Sequence, residues 1–104
     1  MKSFRLLIIV LLLSFFRIPT VYGEQQFILK GKITDQKTKE NIPYVNIYDS
    51  TANVAITADS NGYFEITLPQ ATYDFEFSSI GYQTLEKKVT LIKDATLLVQ
   101  MQQD

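Results

Sequence analysis

From residue 27 onwards the chain alternates apolar and polar residues with a period of two. Such alternation predicts half-buried β-strands, and no stretch keeps apolar residues at helical spacing for long enough to predict a helix. The expected inward-facing residues are Phe27, Leu29, Gly31, Ile33, Val45, Ile47, Phe64, Ile66, Leu68, Tyr73, Phe75, Phe77, Leu85, Val89, Leu97, Val99 and Met101. Short strands separated by turns about every eight to twelve residues predict an all-β fold, an antiparallel two-sheet sandwich of about seven strands.

Turn-forming residues separate these runs. The strongest turn signal is Asp59-Ser60-Asn61-Gly62, because asparagine and glycine tolerate a positive φ. A polar turn is also predicted at 35–41, and Pro43 suits the start of the next strand, where no ladder donor is needed.

The segment 77–84, FSSIGYQT, ends the most aromatic run and leads into the next strand. We expect a bend in which the hydroxyls of Ser78 and Ser79 satisfy backbone groups, while Gly81 permits a bulge or a close approach of another segment. Tyr82 is expected to pack against the core with its hydroxyl near the rim.

The first 23 residues are predicted to be an export signal. Lys2 and Arg5 give a positive start, residues 6–16 are apolar, and Val21 and Gly23 are small residues at the positions that a signal peptidase inspects. The apolar run is too short for a membrane-spanning helix, which needs roughly 20 residues. Cleavage after Gly23 leaves residues 24–104 as one domain with no permanent membrane span.

Removing the signal changes the composition that matters for function. The remaining 104 − 23 = 81 residues have 7 basic and 11 acidic side chains, a net charge of −4, and no arginine. An acidic domain without a basic block is a poor match for a nucleic-acid backbone, so no nucleic-acid partner is predicted. Small exported domains are often stabilised by disulfides, but this chain has no cysteine and must rely on strand pairing and packing.

Composition also excludes much catalytic chemistry. The chain has no histidine and no cysteine, so it offers no Ser-His dyad, no thiolate and no imidazole zinc ligand. Ser78 and Ser79 have only carboxylates and surface lysines nearby in sequence as bases. Asp74 and Glu76 share one strand face at a spacing near that of inverting glycosidases, but alternating acids are typical of any half-solvated strand. We predict that the protein is not an enzyme and has no catalytic residue.

A metal site is also a weak interpretation. Asp59, Asn61 and Gly62 match a fragment of a calcium-binding loop, which needs oxygen ligands at alternate positions and a late bidentate glutamate. Glu65 comes too early to close such a loop, and Phe64 takes the chain straight into a strand. A tight turn is favoured over weak calcium binding, and no metal ligand or cofactor is predicted.

Three polar or aromatic residues form the candidate ligand-contact face. Tyr44, Asn46 and Tyr48 lie opposite Val45 and Ile47 in the alternation. Two tyrosines separated by an amide could stack on a sugar ring and hydrogen-bond to it. The competing interpretation, which the sequence favours, is that both tyrosines cover the sheet edge or pack under a loop.

The segments GKITD, IPYVNIY, TADSNGYFEI and FEFSSIGYQTLEKKV, in this order, resemble the carboxypeptidase-regulatory-like domain over about residues 29–101. The most specific elements are a D-x-x-G-x-F turn and an F-S-x-x-G-Y segment. Their matching residues are Asp59, Asn61, Gly62, Phe64, Phe77, Ser78, Gly81 and Tyr82. The resemblance implies a transthyretin-like β-sandwich. Residues 38–40 and 55–58 depart from the family pattern, which affects loop shape more than fold.

The resemblance also implies a function. Exported members in Bacteroidota commonly form the N-terminal periplasmic extension of TonB-dependent outer-membrane receptors for nutrients or glycans. Residues 94–104 resemble the last strand of that extension, and the 104 residues contain no plug or barrel. We expect a non-enzymatic accessory or interaction module in the periplasm or at the outer membrane, with a protein partner there. The alternatives are a carbohydrate-binding β-sandwich and a structural spacer in a peptidase-type protein.

Overall fold

The structure is a computed structural model and describes residues 25–104; the predicted export signal lies outside the described residues. In this range the chain forms seven strands in two sheets and no helix, which confirms the predicted all-β sandwich. The strands are β1 (Gln26–Asp35), β2 (Asn46–Asp49), β3 (Val54–Thr57), β4 (Tyr63–Pro69), β5 (Ala71–Ser78), β6 (Leu85–Leu91) and β7 (Ala95–Met101).

One sheet has three strands in the order β4-β1-β7, and the other has four in the order β3-β2-β5-β6. Most neighbouring strands are antiparallel, as predicted, but β1 and β7 are parallel, with Ile33 opposite Val99. The period of two fixes which face a side chain occupies and carries no information about the direction of the neighbouring strand. The parallel pair therefore departs from the expected antiparallel arrangement without disturbing the predicted faces.

The inward faces of both sheets share one core. Its buried apolar residues are Leu29, Ile33, Ile42, Val45, Ile47, Val54, Ala58, Phe64, Leu68, Tyr73, Phe75, Phe77, Leu91, Val99 and Met101. Strand β5 supplies the largest side chains, and the Phe75 and Phe77 rings meet edge to face with centroids 6.4 Å apart. In β6 the inward positions Leu85 and Val89 are only half-buried, as the amphipathic pattern predicted, whereas Leu91 at the end of the strand is fully buried.

Gly31 is fixed by the packing between β1 and β4. It lies directly opposite Phe64 in the strand register. A Cβ added to Gly31 would come within 2.1 Å of the Phe64 ring, so the ring occupies the space that a side chain would need.

Strand β2 begins later than the alternation predicted. Tyr44 has a positive φ of 55° and precedes the strand, which starts at Asn46. The Tyr44 N–H donates to the Asp59 carbonyl (3.1 Å), and the Ala58 N–H donates to the Val45 carbonyl (2.9 Å). These bonds hold the segment against the chain that follows β3, so the burial alternation continues through Val45 although the strand does not.

Candidate functional site

Asp35 is a buried carboxylate at the end of β1. The Lys37 and Thr38 N–H groups donate to its Oδ1 (2.8 and 3.0 Å). The Tyr82 hydroxyl and the Gln103 side-chain amide donate to its Oδ2 (2.8 and 2.6 Å). The Thr38 N–H, followed by the Gln103 amide, holds the pKa of Asp35 well below its usual range. The group is therefore a charged structural anchor, because hydrogen bonds to the ionised form stabilise it.

The same carboxylate joins two distant parts of the chain. Tyr82 and Gln103 form an isolated antiparallel bridge, and the Gln83 N–H donates to the Gln102 carbonyl (2.8 Å). The hydrogen bond to Asp35 raises the pKa of Tyr82, since ionising the phenol would place two negative charges together. The carboxylate thereby holds residues 102–104 against the FSSIGYQT segment.

The FSSIGYQT segment is a bend between β5 and β6. Gly81 has a φ of 88°, and a Cβ added there would have nothing within 4 Å. The glycine is therefore needed for its backbone conformation, and the expected close approach of another segment is wrong. Tyr82 is half-buried against the core and bonds to Asp35, as expected for a hydroxyl near the rim.

The two serines of this segment play a smaller part than expected. Within residues 25–104 the hydroxyls of Ser78 and Ser79 make no hydrogen bond, so the predicted hydroxyl–backbone bonds are wrong. The turn is closed instead by the Tyr82 N–H, which donates to the Ser79 carbonyl (3.1 Å).

Asp49 is the second buried carboxylate and ends β2. The Ala52 N–H donates to its Oδ1 (3.1 Å), and the Asp74 N–H on β5 donates to its Oδ2 (2.8 Å). It closes the turn between β2 and β3 in the way that Asp35 closes the turn after β1. Both aspartates continue the inward phase of their strands, a signal that could have identified them, although the turn signal assigned Asp35 to a polar turn and no prediction covered Asp49.

The Asp59-Ser60-Asn61-Gly62 segment forms the tight turn that the sequence predicted. The N–H groups of Asn61 and Tyr63 both donate to Asp59 Oδ1 (2.9 Å each). Gly62 has a φ of 79°, and a Cβ there would lie 2.7 Å from the Ile33 carbonyl oxygen. The turn places Phe64 in the core. The carboxylate of Asp59 is already bonded to backbone donors. Among the described residues no group of three or more Asp, Glu, His or Cys side chains could hold a metal ion.

The candidate ligand-contact face lies on the outer side of the four-stranded sheet. Tyr44 is 63% exposed and Tyr48 47% exposed, and Asn46 is also exposed between them. The Asn46 side-chain oxygen accepts a hydrogen bond from the Thr57 hydroxyl (3.3 Å), which leaves its amide nitrogen free for a ligand. The three side chains are thus solvent-accessible, although Tyr44 lies outside the strand.

An open groove runs beside Tyr48 across strands β2, β5 and β6. It is lined by Tyr48, Ser50, Asp74, Glu76, Glu86, Lys87 and Lys88. Glu76 lies opposite Tyr48 on one side and Glu86 on the other. The sole ion pair within residues 25–104, Lys30 with Glu65 at 3.6 Å, is on the other sheet. The groove therefore offers one aromatic ring and several charged groups that are not committed to ion pairs.

Asp74 and Glu76, weighed above as a glycosidase pair, lie in this groove as adjacent outward positions of β5. Asp74 faces Lys88 across the strand pair, and Glu76 faces Glu86.

The described residues contain no helix long and apolar enough to cross a membrane.

Of three comparisons with known proteins, two agree with the fold. No curated protein matches the chain. The structure is similar to the crystal structure of a DUF3823 family protein from Parabacteroides merdae, with a TM-score of 0.54 and 14% identity. That likeness covers 78% of this chain and 47% of the other, so the chain spans about half the length of that protein.

The decisive comparison is with protein families. The model of the CarboxypepD_reg-like domain matches residues 29–104, a range that contains all of β2 to β7 and most of β1. It includes the Asp59 turn, the FSSIGYQT segment and both buried aspartates. The chain therefore belongs to the CarboxypepD_reg-like domain family, a family of regulatory or accessory β-sandwich domains.

Proposed function

We propose that this chain is an exported, non-catalytic interaction module, related to the N-terminal periplasmic extension of a TonB-dependent receptor. The observation that carries the proposal is that the residues of the family signature build the fold and lie outside the exposed groove. Asp59, Gly62, Gly81 and Tyr82 close turns or hold segments together, and none of them lines the groove beside Tyr48. Residues that only build the fold suit a domain whose role is to present a surface.

The surface in question is the outer face of the four-stranded sheet. Tyrosine side chains are favoured at protein interfaces because they combine a large apolar ring with a hydroxyl that can bond at the rim. Tyr48 combines such a ring with the neighbouring carboxylates of Glu76 and Glu86. The proposed partner is a protein of the periplasm or outer membrane.

A photo-crosslinker at position 48 tests this proposal. Tyr63 is the matched control, because it is 48% exposed against 47% for Tyr48 but lies on the other sheet. The full chain is expressed in its bacterial host with benzoylphenylalanine at one position or the other. We expect a light-dependent adduct with an envelope protein from position 48 and none from position 63. The absence of adducts from position 48, or equal adducts from both positions, would contradict the proposal.

Export is tested in the same cells. Fractionation and N-terminal sequencing should find the protein in the envelope fraction with a chain that begins at Glu24. A chain that stays in the cytoplasm with Met1 intact would remove the periplasmic part of the proposal and leave the surface to be tested alone.

Carbohydrate binding is the second candidate, favoured by the exposure of Tyr44 and Tyr48 and by the free amide of Asn46. The chain has six tyrosines and no tryptophan, so its intrinsic fluorescence reports directly on tyrosine. Titration with oligosaccharides chosen from a glycan array should change the signal of the wild-type protein and of Tyr63→Ala, but not that of Tyr48→Ala. Unchanged fluorescence across the whole set would remove this candidate.

A further inference from the structure

Three of the four edge strands carry a feature that prevents another strand from pairing with them. Edge strands present unpaired N–H and C=O groups, and natural proteins protect them with short length, charge or proline. Strand β3 has four residues. Strand β6 contains Glu-Lys-Lys at 86–88, with Lys87 in the inward phase opposite Phe75. Strand β4 contains Glu65 and ends with Pro69.

Strand β7 carries none of these features. It is seven residues long, with the sequence ATLLVQM, and contains no charged residue and no proline. Its neighbour in the sheet is β1, which leaves its other side as an edge. Leu98, at its centre, is 69% exposed.

Hydrogen bonds at the end of β7 show which residues face that edge. The Met101 carbonyl accepts from the Gln36 N–H, on the side of β1 (2.9 Å). The Gln102 carbonyl accepts from the Gln83 N–H, which belongs to the segment before β6 (2.8 Å). Consecutive residues of a strand direct their N–H and C=O groups to opposite sides. The backbone groups of residues 96, 98 and 100 therefore face the open edge, and Gln83 marks where the open stretch ends.

The apolar pattern of β7 is symmetric about Leu98. In an antiparallel pairing of two copies centred there, Leu98 lies opposite Leu98, Leu97 opposite Val99, and Thr96 opposite Gln100. Apolar residues meet apolar residues and polar residues meet polar ones throughout. We propose that two copies of this chain pair through β7, antiparallel and two-fold symmetric about Leu98, to form a continuous six-stranded sheet.

Charge favours β7 over β6 as the self-pairing edge. The same operation on β6, centred on Lys88, would place Lys88 opposite Lys88 and set like charges against each other. A neutral strand has no such penalty, so β7 is suited to a second copy of itself. The pairing uses one seven-residue strand from each copy, whereas a standard interface uses about 20–30 residues a side, so we expect a weak, concentration-dependent dimer.

Sedimentation velocity on residues 24–104, which contain all seven strands, tests the dimer. We expect the average mass to rise towards twice that of the monomer between about 10 μM and 1 mM, the range in which weak complexes form. Leu98→Pro removes an N–H that faces the open edge and leaves the bonds to β1 in place, so it should weaken dimerisation at least about tenfold while the protein stays folded. Leu98→Lys should do the same by opposing two charges, as a second variant if the proline prevents folding.

Ile80→Lys is the control, because Ile80 is fully exposed and lies in the bend between β5 and β6, outside the residues 96–100 that the pairing uses. It should dimerise like the wild type. A wild-type protein that remains monomeric at 1 mM would overturn the proposal, as would dimers that persist unchanged in folded Leu98→Pro and Leu98→Lys. The β7 edge and the Tyr48 face lie on different sheets, so failure here is distinguishable from failure of the proposed function.

Discussion

Replacing Gly62 or Gly81 by alanine separates two reasons for which a glycine is required. Both residues have a positive φ, 79° and 88°, which costs an alanine about 1–2 kcal/mol. They differ in their surroundings. A Cβ at Gly62 would lie 2.7 Å from the Ile33 carbonyl oxygen and 3.0 Å from that of Ile42, whereas a Cβ at Gly81 meets nothing within 4 Å.

The difference between the two variants follows from these distances. Alanine also restricts the unfolded chain, which offsets about 0.4–1 kcal/mol at either position. The net cost of Gly81→Ala is therefore about 1 kcal/mol. In Gly62→Ala the backbone must also move, which lengthens the bond from the Ile33 N–H to the Gly62 carbonyl (2.9 Å). Overpacking and the weakened bond add about 1–3 kcal/mol, for a total of about 3 kcal/mol.

Urea denaturation followed by far-ultraviolet circular dichroism measures both variants against the wild type. With slopes of about 1–3 kcal/mol per molar urea for small proteins, the two midpoints should differ by about 1 M. Ser79→Ala is the neighbouring control and should fall within about 0.5 kcal/mol of wild type, because its hydroxyl makes no bond. Gly81→Val should cost more than Gly81→Ala, since a β-branched side chain suits a positive φ poorly. Equal midpoints for the two alanine variants, or a larger effect at Gly81, would refute the steric reasoning.

Three further predictions concern the anchors of the fold. Because the pKa of Asp35 is lowered in the folded state, its stabilising contribution is complete above the ordinary value of 3.8 and is lost as the pH falls below it. The midpoint of urea unfolding, measured from pH 7 to pH 2, should therefore decline less steeply in Asp35→Asn than in the wild type. Parallel curves for the two proteins would contradict this. Tyr82→Phe should lower the melting temperature by several degrees and increase amide exchange in residues 102–104. Tyr63→Phe, at the start of β4, is the control and should do neither. Equal exchange in the two variants would show that Tyr82 does not hold that segment. Gly31→Ala should cost about 1–3 kcal/mol by displacing the Phe64 ring, and Phe64→Ala should then be less costly in that background than alone; additive free energies of unfolding would disprove the contact.

The period of two was sufficient to predict most of the fold. It assigned inward positions in every strand except β3, and the shallow burial of Leu85 and Val89 in β6, because a side chain's face depends only on its place in the alternation. The Asp59 turn was also predictable, since its residues create the turn through bonds within five positions. The resemblance carried by the two signature segments gave the family that the comparison with family models confirms.

Features that join distant segments could not be predicted in this way. The sequence marked residues 35–41 as a polar turn, yet Asp35 is bonded to Tyr82 and Gln103, which lie 47 and 68 residues further along the chain. The inward phase of Asp35 and Asp49 was visible, but a carboxylate in that phase is buried only if other segments supply its donors. The exposure of Tyr44 and Tyr48 was compatible with either interpretation of that face.

By itself, the sequence determined that this protein is an all-β sandwich of the CarboxypepD_reg-like family with no histidine or cysteine chemistry. The tertiary structure decided that β1 and β7 run parallel and that the FSSIGYQT segment is held to residues 102–104 through Asp35. It also decided that Gly81 is required for its positive φ and not for a close contact. The physical reason is the range of the interactions. Alternation and turns are set by neighbours in the chain, whereas strand direction, carboxylate burial and an unprotected edge depend on which segments the fold brings together.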